Sequence, residues 1–381
     1  MNLLYISPDF PVNFQQFVKA LSKKGVNVFG VGEADFFSMP TDVRDALKYY
    51  EKCNLHDFGE VKQLSEKMLR EFGNTEGYQI VESHNEFWIP LEVELNEYFN
   101  CDGFRKSTVD SVTRKSSMKR IFESALIPYA SGEMLTSLEQ AKKFTNQHGY
   151  PVILKPDRGV GGTGVYKINS TQELTDAYSK IKVPYVIENF IKGKIKTYDG
   201  LTDSTGKVVF ESSLQLSAAI LDYINGEDIV FFTDRNIEED LRSMGKKIID
   251  KVGLKRKFFH IEFFQTDEGF IPIEINARPP GGIILDMMNY SSDIDLYSLY
   301  SDIAVEGSAE ISQHKKYYCA YVSPRSKFID PEIFSKEYPE EFISFEENPP
   351  LYHEAMGRYR FLIRTPEQST MMSLIEKILI L

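Results

Sequence analysis

Short apolar runs and amphipathic stretches alternate from the first residues onward. LLYISP (3–8) is an apolar run ended by Ser-Pro, FQQFVKALSKKG (14–25) spaces its apolar positions at helical intervals as far as Gly25, and VNVFGVGE (26–33) is apolar again. Strand, glycine-closed helix and strand in that order predict the opening of a parallel α/β layer. VKQLSEKMLREFG (61–73), YQIVESH (78–84) and a helix through IPLEVELNEYF (89–99) continue it, so a Rossmann-like domain is expected over 1–105. Its first turn, SPDFPVN, has no glycine fingerprint, which argues against dinucleotide binding there.

From residue 106 the pattern changes. One basic helix is expected at SVTRKSSMKRIFESA (111–125), a second helix at SLEQAKKFTNQHG (137–149), then the strand PVILKP (151–156), a glycine-rich connection, a helix near TQELTDAYSKI (171–181) and the strand PYVIENF (184–190). Strand-like runs at 197–217 and 228–233 and a helix at 238–252 follow. FFHIEFFQ (258–265) and FIPIEINA (270–277), joined by TDEG, read as adjacent antiparallel strands, because short loops ending in glycine are ordinary hairpin connections. The tail has strands at KYYCAYVSP and RYRFLIRT and an amphipathic terminal helix, MMSLIEKILIL, suited to docking on the core or to a homodimer contact.

With 381 residues, 42% hydrophobic and 26% charged, the chain can bury a substantial core spread over several domains. No apolar run approaches the roughly 20 residues that cross a bilayer. The opening MNLLYISPDF lacks the basic-then-apolar layout of a signal peptide, so a cytoplasmic protein is expected. Cys53, Cys101 and Cys319 have neither metal spacing nor a disulfide pattern and read as reduced thiols. A net charge of −12, with both signs mixed along the chain, argues against general attraction to nucleic acid or to an anionic membrane. Any phosphate must therefore be held locally.

Several stretches could do so. Period-two alternation puts Pro272, Glu274 and Asn276 on one side of their strand and Ile271, Ile273 and Ile275 on the other. His260, Glu262 and Phe264 share a face of the preceding strand, and the tight turn brings Glu262 into the neighbourhood of Glu274. Two carboxylates and an amide oxygen then converge. They form either the wet side of an amphipathic sheet or a cation site, for which hard oxygen donors suit Mg²⁺. Arg278 shares that face, either for an anion or paired with one of the same acids. DRGVGGTGVYK (157–167) carries Gly159, Gly161, Gly162 and Gly164. It reads as a phosphate cover or as a plain flexible loop, and it is not a Walker loop. Lys155, ending the apolar strand before it, needs an anionic partner. Lys115, three residues before Met118, is a surface helix charge or a second lysine facing an apolar neighbour. YVIENF offers Glu188 and exposed backbone from Ile187 through Asn189 to Phe190, suited to edge-binding an adenine.

Taken in order, the Rossmann-like front, Lys-x-x-Met, Lys-Pro, glycine loop, Val-Ile-Glu-Asn-Phe, Glu262 and Glu274-Ile-Asn276-x-Arg278 resemble the ATP-grasp superfamily over roughly 1–310. The specific likeness is to its carboxylate–amine ligase branch, related to L-amino acid ligases and D-alanine–D-alanine ligase. The resemblance implies an α/β fold with an ATP-grasp domain over 106–310, its small lobe about 106–187 and its large lobe about 188–310, and an α+β segment over 311–381. It implies that Lys115 and Lys155 reach the phosphates of ATP and that Gly161, Gly162 and Gly164 cover them. Glu188, Asn189 and Phe190 would form the adenine hinge. Glu262, Glu274 and Asn276 would bind one or two Mg²⁺ ions, or Mn²⁺, and Arg278 would steady the transferred phosphoryl group. The implied reaction is amide formation between a small carboxylate and an amine through an acyl phosphate. A non-catalytic ATP-binding regulator and a biotin-type carboxylase are the alternatives, the latter without its Met-Lys-Met.

The chain departs from this pattern at one place. KGKIKTYDG has Lys194 and Ile195 where such proteins carry a ribose-binding acid, and Asp199 is the nearest substitute. Glu86 in ESHNEFW and the segment ESSLQLSAAILDYINGED (211–228) are expected to line the second-substrate pocket, and Asn289 to face the site or to pack.

Overall fold

A computed structural model describes residues 1–73, 76–159, 164–216, 228–311 and 316–380. Four parallel strands, in the spatial order Tyr49–Lys52, Asn27–Gly32, Asn2–Ile6 and Ile80–Glu82, make the front sheet. Asn2–Ile6 is buried along its whole length, the unalternating pattern of a strand covered on both faces. Helix Gln15–Lys23 covers one face through Phe17, Val18 and Leu21, and Phe58–Phe72 and Ile89–Phe99 cover the other. The edge strand Tyr49–Lys52 and the short helix Thr41–Ala46 escape sequence reading, since YYEK has no apolar period to reveal it.

The second sheet is antiparallel, in the order Gly132–Met134, Tyr185–Asn189, Val152–Pro156 and Tyr166–Ile168. Helices Leu138–His148 and Thr171–Lys180 pack on it through Phe144, Leu154, Leu174 and Ile187. The single basic helix expected at 111–125 is two helices, Lys106–Thr113 and Lys115–Ser124. They part at Arg114, extended at φ −120° and ψ 122°. Asp157 accounts for the break. Its carbonyl accepts from the Lys115 N–H at 2.9 Å, and its carboxylate takes the Ser116 N–H at 2.9 Å and the Arg114 guanidinium at 3.0 Å. These are tertiary bonds that periodicity cannot show.

The third sheet follows the path Gly269–Asn276, Phe258–Thr266, Lys194–Thr202, Leu214–Leu216, Ile229–Thr233, Tyr318–Ser323, Tyr359–Thr365 and Phe342–Glu347, with Val208–Ser212 paired to Lys194–Thr202. The strands of the tail thus extend the sheet that carries Glu262 and Glu274. The terminal helix Gln368–Leu379 buries Met371, Leu374, Ile375 and Ile378 against the cluster of Phe334 and Phe361. Its apolar face is spent on the chain's own core, the docking alternative read from the sequence. The α/β class is as the sequence predicts.

The front and third sheets meet around His84. Its ring stacks on Phe17 with centroids 3.8 Å apart, and its Nδ1 lies 3.0 Å from the Tyr5 hydroxyl. Burial, helped by Lys257 and opposed by Glu82, holds its pKa down at about 4. The folded state therefore leaves His84 neutral where the unfolded chain binds a proton, and stability falls as pH drops from 6.5 through 4. Between pH 7.5 and 4.5 this group removes about 2–3 kcal/mol. Urea unfolding of the wild type and of His84→Gln at both pH values should show that much less acid loss in the variant.

Candidate active site

The hairpin Phe258–Thr266 and Gly269–Asn276 supplies the acids, and its turn is only Asp267-Glu268, since Thr266 pairs with Gly269. Glu262 stands directly across from Glu274, and His260 across from Asn276. The strict alternation expected along the second strand fails in its middle. The register slips so that Phe263 pairs with Pro272, leaving Ile273 as an extra residue. Phe270 and Ile275, an odd number apart, accordingly enter the same core cluster. Ile271, Ile273 and Ile275 do not form one face, and Pro272 does not share the face of Glu274. Proline cannot donate to the ladder, and a bulge beside it re-aims the following side chains.

Helix Lys115–Ser124 forms a second wall. The Lys115 Nζ lies 3.2 Å from Glu274 Oε2 and donates to the Gly159 carbonyl at 3.1 Å. Met118 Sδ, three residues on, accepts the Ile275 N–H at 3.5 Å and so fixes the helix against the strand of acids. Burial would raise the Glu274 pKa, but Lys115 and then Lys155 outweigh it and hold the carboxyl below its ordinary value.

Lys155 comes from the second sheet, where its Nζ pairs with Glu188, while Lys119 takes the other oxygen of Glu188 at 2.8 Å. All three side chains are largely buried. Burial raises the Glu188 pKa, and the two ammoniums more than reverse it. Lys119 goes unnoticed in the sequence, hidden in a basic run. The available signal was its spacing of four from Lys115, which places both on one helix face.

Tyr185–Asn189 is an inner strand, flanked by Gly132–Met134 and Val152–Pro156. The backbone expected to be exposed from Ile187 to Phe190 is therefore engaged. The Asn189 N–H donates to Ser131 O at 2.9 Å and the Phe190 N–H to Pro151 O at 3.4 Å. An apolar run shows that a strand is buried but not how many neighbours it has. The Asn189 amide lies 3.5 Å from His148 Nδ1, and the Phe190 ring sits under Lys167. In the glycine loop, Gly164 has φ +76°, accepts the Tyr185 hydroxyl at 3.0 Å, and has no room for a Cβ, which would lie 2.8 Å from that hydroxyl. Gly161 and Gly162 lie outside the described residues, as does 217–227 of the segment expected to line the pocket.

His260 joins two carboxylates, with Nδ1 2.5 Å from Asp199 Oδ1 and Nε2 3.2 Å from Glu262 Oε1. Burial disfavours its charged form, yet Asp199 and then Glu262 raise its pKa to about 10. Asp199 is wholly buried and also bonded to Thr197, so it cannot stand in for the ribose-binding acid. Arg278 pairs with neither Glu262 nor Glu274. Its Nε meets Glu86 Oε2 at 3.1 Å, linking the strand of acids to the segment that follows strand Ile80–Glu82, and burial keeps the Glu86 pKa raised despite that guanidinium. The Pro-Pro-Gly-Gly break then turns the chain so that Gly282 O accepts the Asn13 amide at 2.8 Å and helix Ile284–Ser292 begins, packed on the third sheet. Asn289 packs, its side chain accepting the Leu296 N–H at 2.9 Å.

The structure thus brings Lys115, Glu262, Glu274 and Asn276 together, sets Lys155 and Glu188 beside them, and places Arg278 against Glu86. Among the described residues no group of three or more His, Cys, Asp or Glu could hold a metal ion. The donor set is two facing carboxylates and one amide. Like charges directly across a strand pair repel, and Lys115 and His260 offset that repulsion.

Residues 148–286 match a family model described as an ATP-grasp domain. The chain is 23% identical over 273 residues to the carbamoyl phosphate synthase large chain of Clostridium botulinum (strain Loch Maree / Type A3), covering 68% of this chain and 24% of that protein. It thus spans about a quarter of the length of that relative. Among solved structures, the L-amino acid ligase from Bacillus licheniformis superposes with TM-score 0.76 at 16% identity, covering 98% of this chain and 96% of that one. The biotin carboxylase domain of Hydrogenobacter thermophilus 2-oxoglutarate carboxylase, solved with MgADP, ADP and bicarbonate, gives 0.71 at 16% identity, covering 99% and 90%. At such identities these two likenesses show the fold alone. Residues 148–286 are thus an ATP-grasp domain, the superfamily that the order of the motifs resembles.

Proposed function

We propose that the chain is an ATP-dependent carboxylate–amine ligase that forms an amide or peptide bond through an acyl phosphate and releases ADP and phosphate. The observation that carries this reading is Glu274, which faces Glu262 across the hairpin and feels both Lys115 and Lys155, lysines delivered by separate elements. Two lysines beside two hard-oxygen acids suit a triphosphate and its ion better than they suit a solvated sheet face. Glu262, Glu274 and the Asn276 oxygen fit one or two Mg²⁺ ions, or Mn²⁺, which would neutralise charge on the phosphate oxygens.

The chain's own residues do the positioning. Lys115 and Lys155 hold the phosphates, each exchanging for them the carboxylate it pairs with, Glu274 and Glu188. Gly164 belongs to the loop proposed to cover them, and Glu188 keeps Lys155 and Lys119 in place. Arg278 lies where charge gathers on the transferred group. A substrate carboxylate oxygen attacks the γ-phosphorus and ADP leaves; the amine nitrogen then attacks the acyl carbon and phosphate leaves. Unpaired, buried Cys53, Cys101 and Cys319 support a cytoplasmic setting. No helix among the described residues is long and apolar enough to cross a membrane.

Purified chain, ATP and Mg²⁺ with pooled amino acids should release ADP only when both a carboxylate and an amine are present. Release that needs bicarbonate and no amine selects the carboxylase reading, toward which the biotin carboxylase likeness points. ATP uptake with no ADP release under any pool selects a regulator.

A further inference from the structure

A cavity of about 270 Å³ lies between the edge strand Ile80–Glu82, the connection through Asp102–Arg105, and the loop that follows helix Glu239–Val252. That is the volume of about nine waters at about 30 Å³ each. None of Lys115, Lys155, Glu188, Glu262, Glu274 or Arg278 lines it.

Its charges are unevenly matched. At the inner end Lys257 Nζ lies 2.6 Å from both Glu82 Oε1 and Glu92 Oε1, and the Tyr300 hydroxyl donates to Glu82 Oε2 at 2.8 Å. At the outer end Arg256 pairs with Asp102 at 2.7 Å. These pairs consume every acid that lines the cavity. Arg105 and Lys255 remain, and among the described residues neither has a carboxylate partner; Arg105 donates instead to the carbonyls of Asn96 and Cys101 at 2.9 and 2.7 Å. The Arg256 Nε is buried without a hydrogen-bond partner, and so are both atoms of the Asn96 amide. Asn96 sits behind Gly103 of the cavity wall, where a Cβ would come within 2.4 Å of it. Buried donors without partners are uncommon because each forfeits its hydration, and a cluster of them beside uncompensated cations calls for an acceptor.

We propose that this cavity is a binding site for a small anion, a carboxylate or a phosphate monoester, held by Arg105, Lys255 and the free Nε of Arg256. The site is separate from the cleft, and its existence does not depend on the ligase reading. Because it bridges the front sheet and the third sheet at their connection, its occupant would brace the two against each other.

The test is titration calorimetry on the full chain, kept with Mg²⁺ and a non-hydrolysable ATP analogue so that the cleft is occupied. Inorganic phosphate and glutarate are added separately at constant ionic strength. Saturable uptake of either at one per chain is expected, and which of the two binds decides between phosphate and carboxylate. Losing one charge-assisted contact should weaken that uptake about tenfold. Lys255→Glu alters an exposed side chain and leaves the core intact, and Arg256→Gln removes the unpaired donor. No saturable uptake of either anion, or uptake that both variants leave unchanged, overturns the proposal.

Discussion

Replacing Lys155 with alanine lowers ADP release by about 10²- to 10³-fold, the scale on which removal of one preorganised donor to developing charge acts. The side chain is 6% exposed and its Nζ is committed to Glu188. The proposed role gives it a phosphate as its anion in place of Glu188. The fold should survive the change, because Glu188 keeps Lys119 at 2.8 Å. Steady-state kinetics with a melting curve on the same sample separates the two effects. Turnover within about threefold of wild type in a folded variant would remove Lys155 from the phosphate site, since one such donor is worth far more than that.

Lys257→Met should cost about 3–5 kcal/mol of stability, the usual outcome when one member of a buried ionic cluster is removed. Lys257 is buried together with the two acids it joins, Glu82 on the front sheet and Glu92 on the following helix. Glu82 is the ionised member. Burial works against its charge, but Lys257 together with the His84 N–H lowers its pKa to about 2, and the Ser83 N–H and the Tyr300 hydroxyl bond it as well. Glu92 has fewer donors, and burial pushes it up to about 7. Without the ammonium, burial acts on Glu82 with its main compensation gone, so its carboxyl must stay charged and unpaired or take up a proton, and either lowers stability. Urea unfolding should show the loss, and adding Glu82→Gln should recover much of it. An unchanged midpoint in Lys257→Met would mean that the cluster does not hold the front sheet to the rest.

The sequence was most readable where one neighbour decides an element. Buried parallel strands announce themselves as unbroken apolar runs, and the short connection TDEG makes the strands that carry Glu262 and Glu274 antiparallel neighbours. Reading failed where partners are distant. The helix break at Arg114 depends on Asp157, the inner position of Tyr185–Asn189 depends on a three-residue strand at Gly132–Met134, and the burial of Asp199 depends on His260. In the site, residue types at motif spacing were legible, whereas their pairing was not. Arg278 reaches back to Glu86, 192 positions earlier, and Lys119 shares Glu188 with Lys155, contacts that no local pattern encodes. The bulge at Ile273 shows the limit of period-two reasoning, since one extra residue moved three expected neighbours to other faces.

The central claim is that Glu262, Glu274 and Asn276 hold a divalent ion which in turn holds a triphosphate. Titration calorimetry with a non-hydrolysable ATP analogue tests it directly, run with and without Mg²⁺ on the wild type and on Glu274→Gln. The account predicts uptake of one analogue per chain that requires Mg²⁺ and is largely lost in the variant. Wild-type chain that takes up no analogue, or takes it up equally well without Mg²⁺ and after Glu274→Gln, contradicts it.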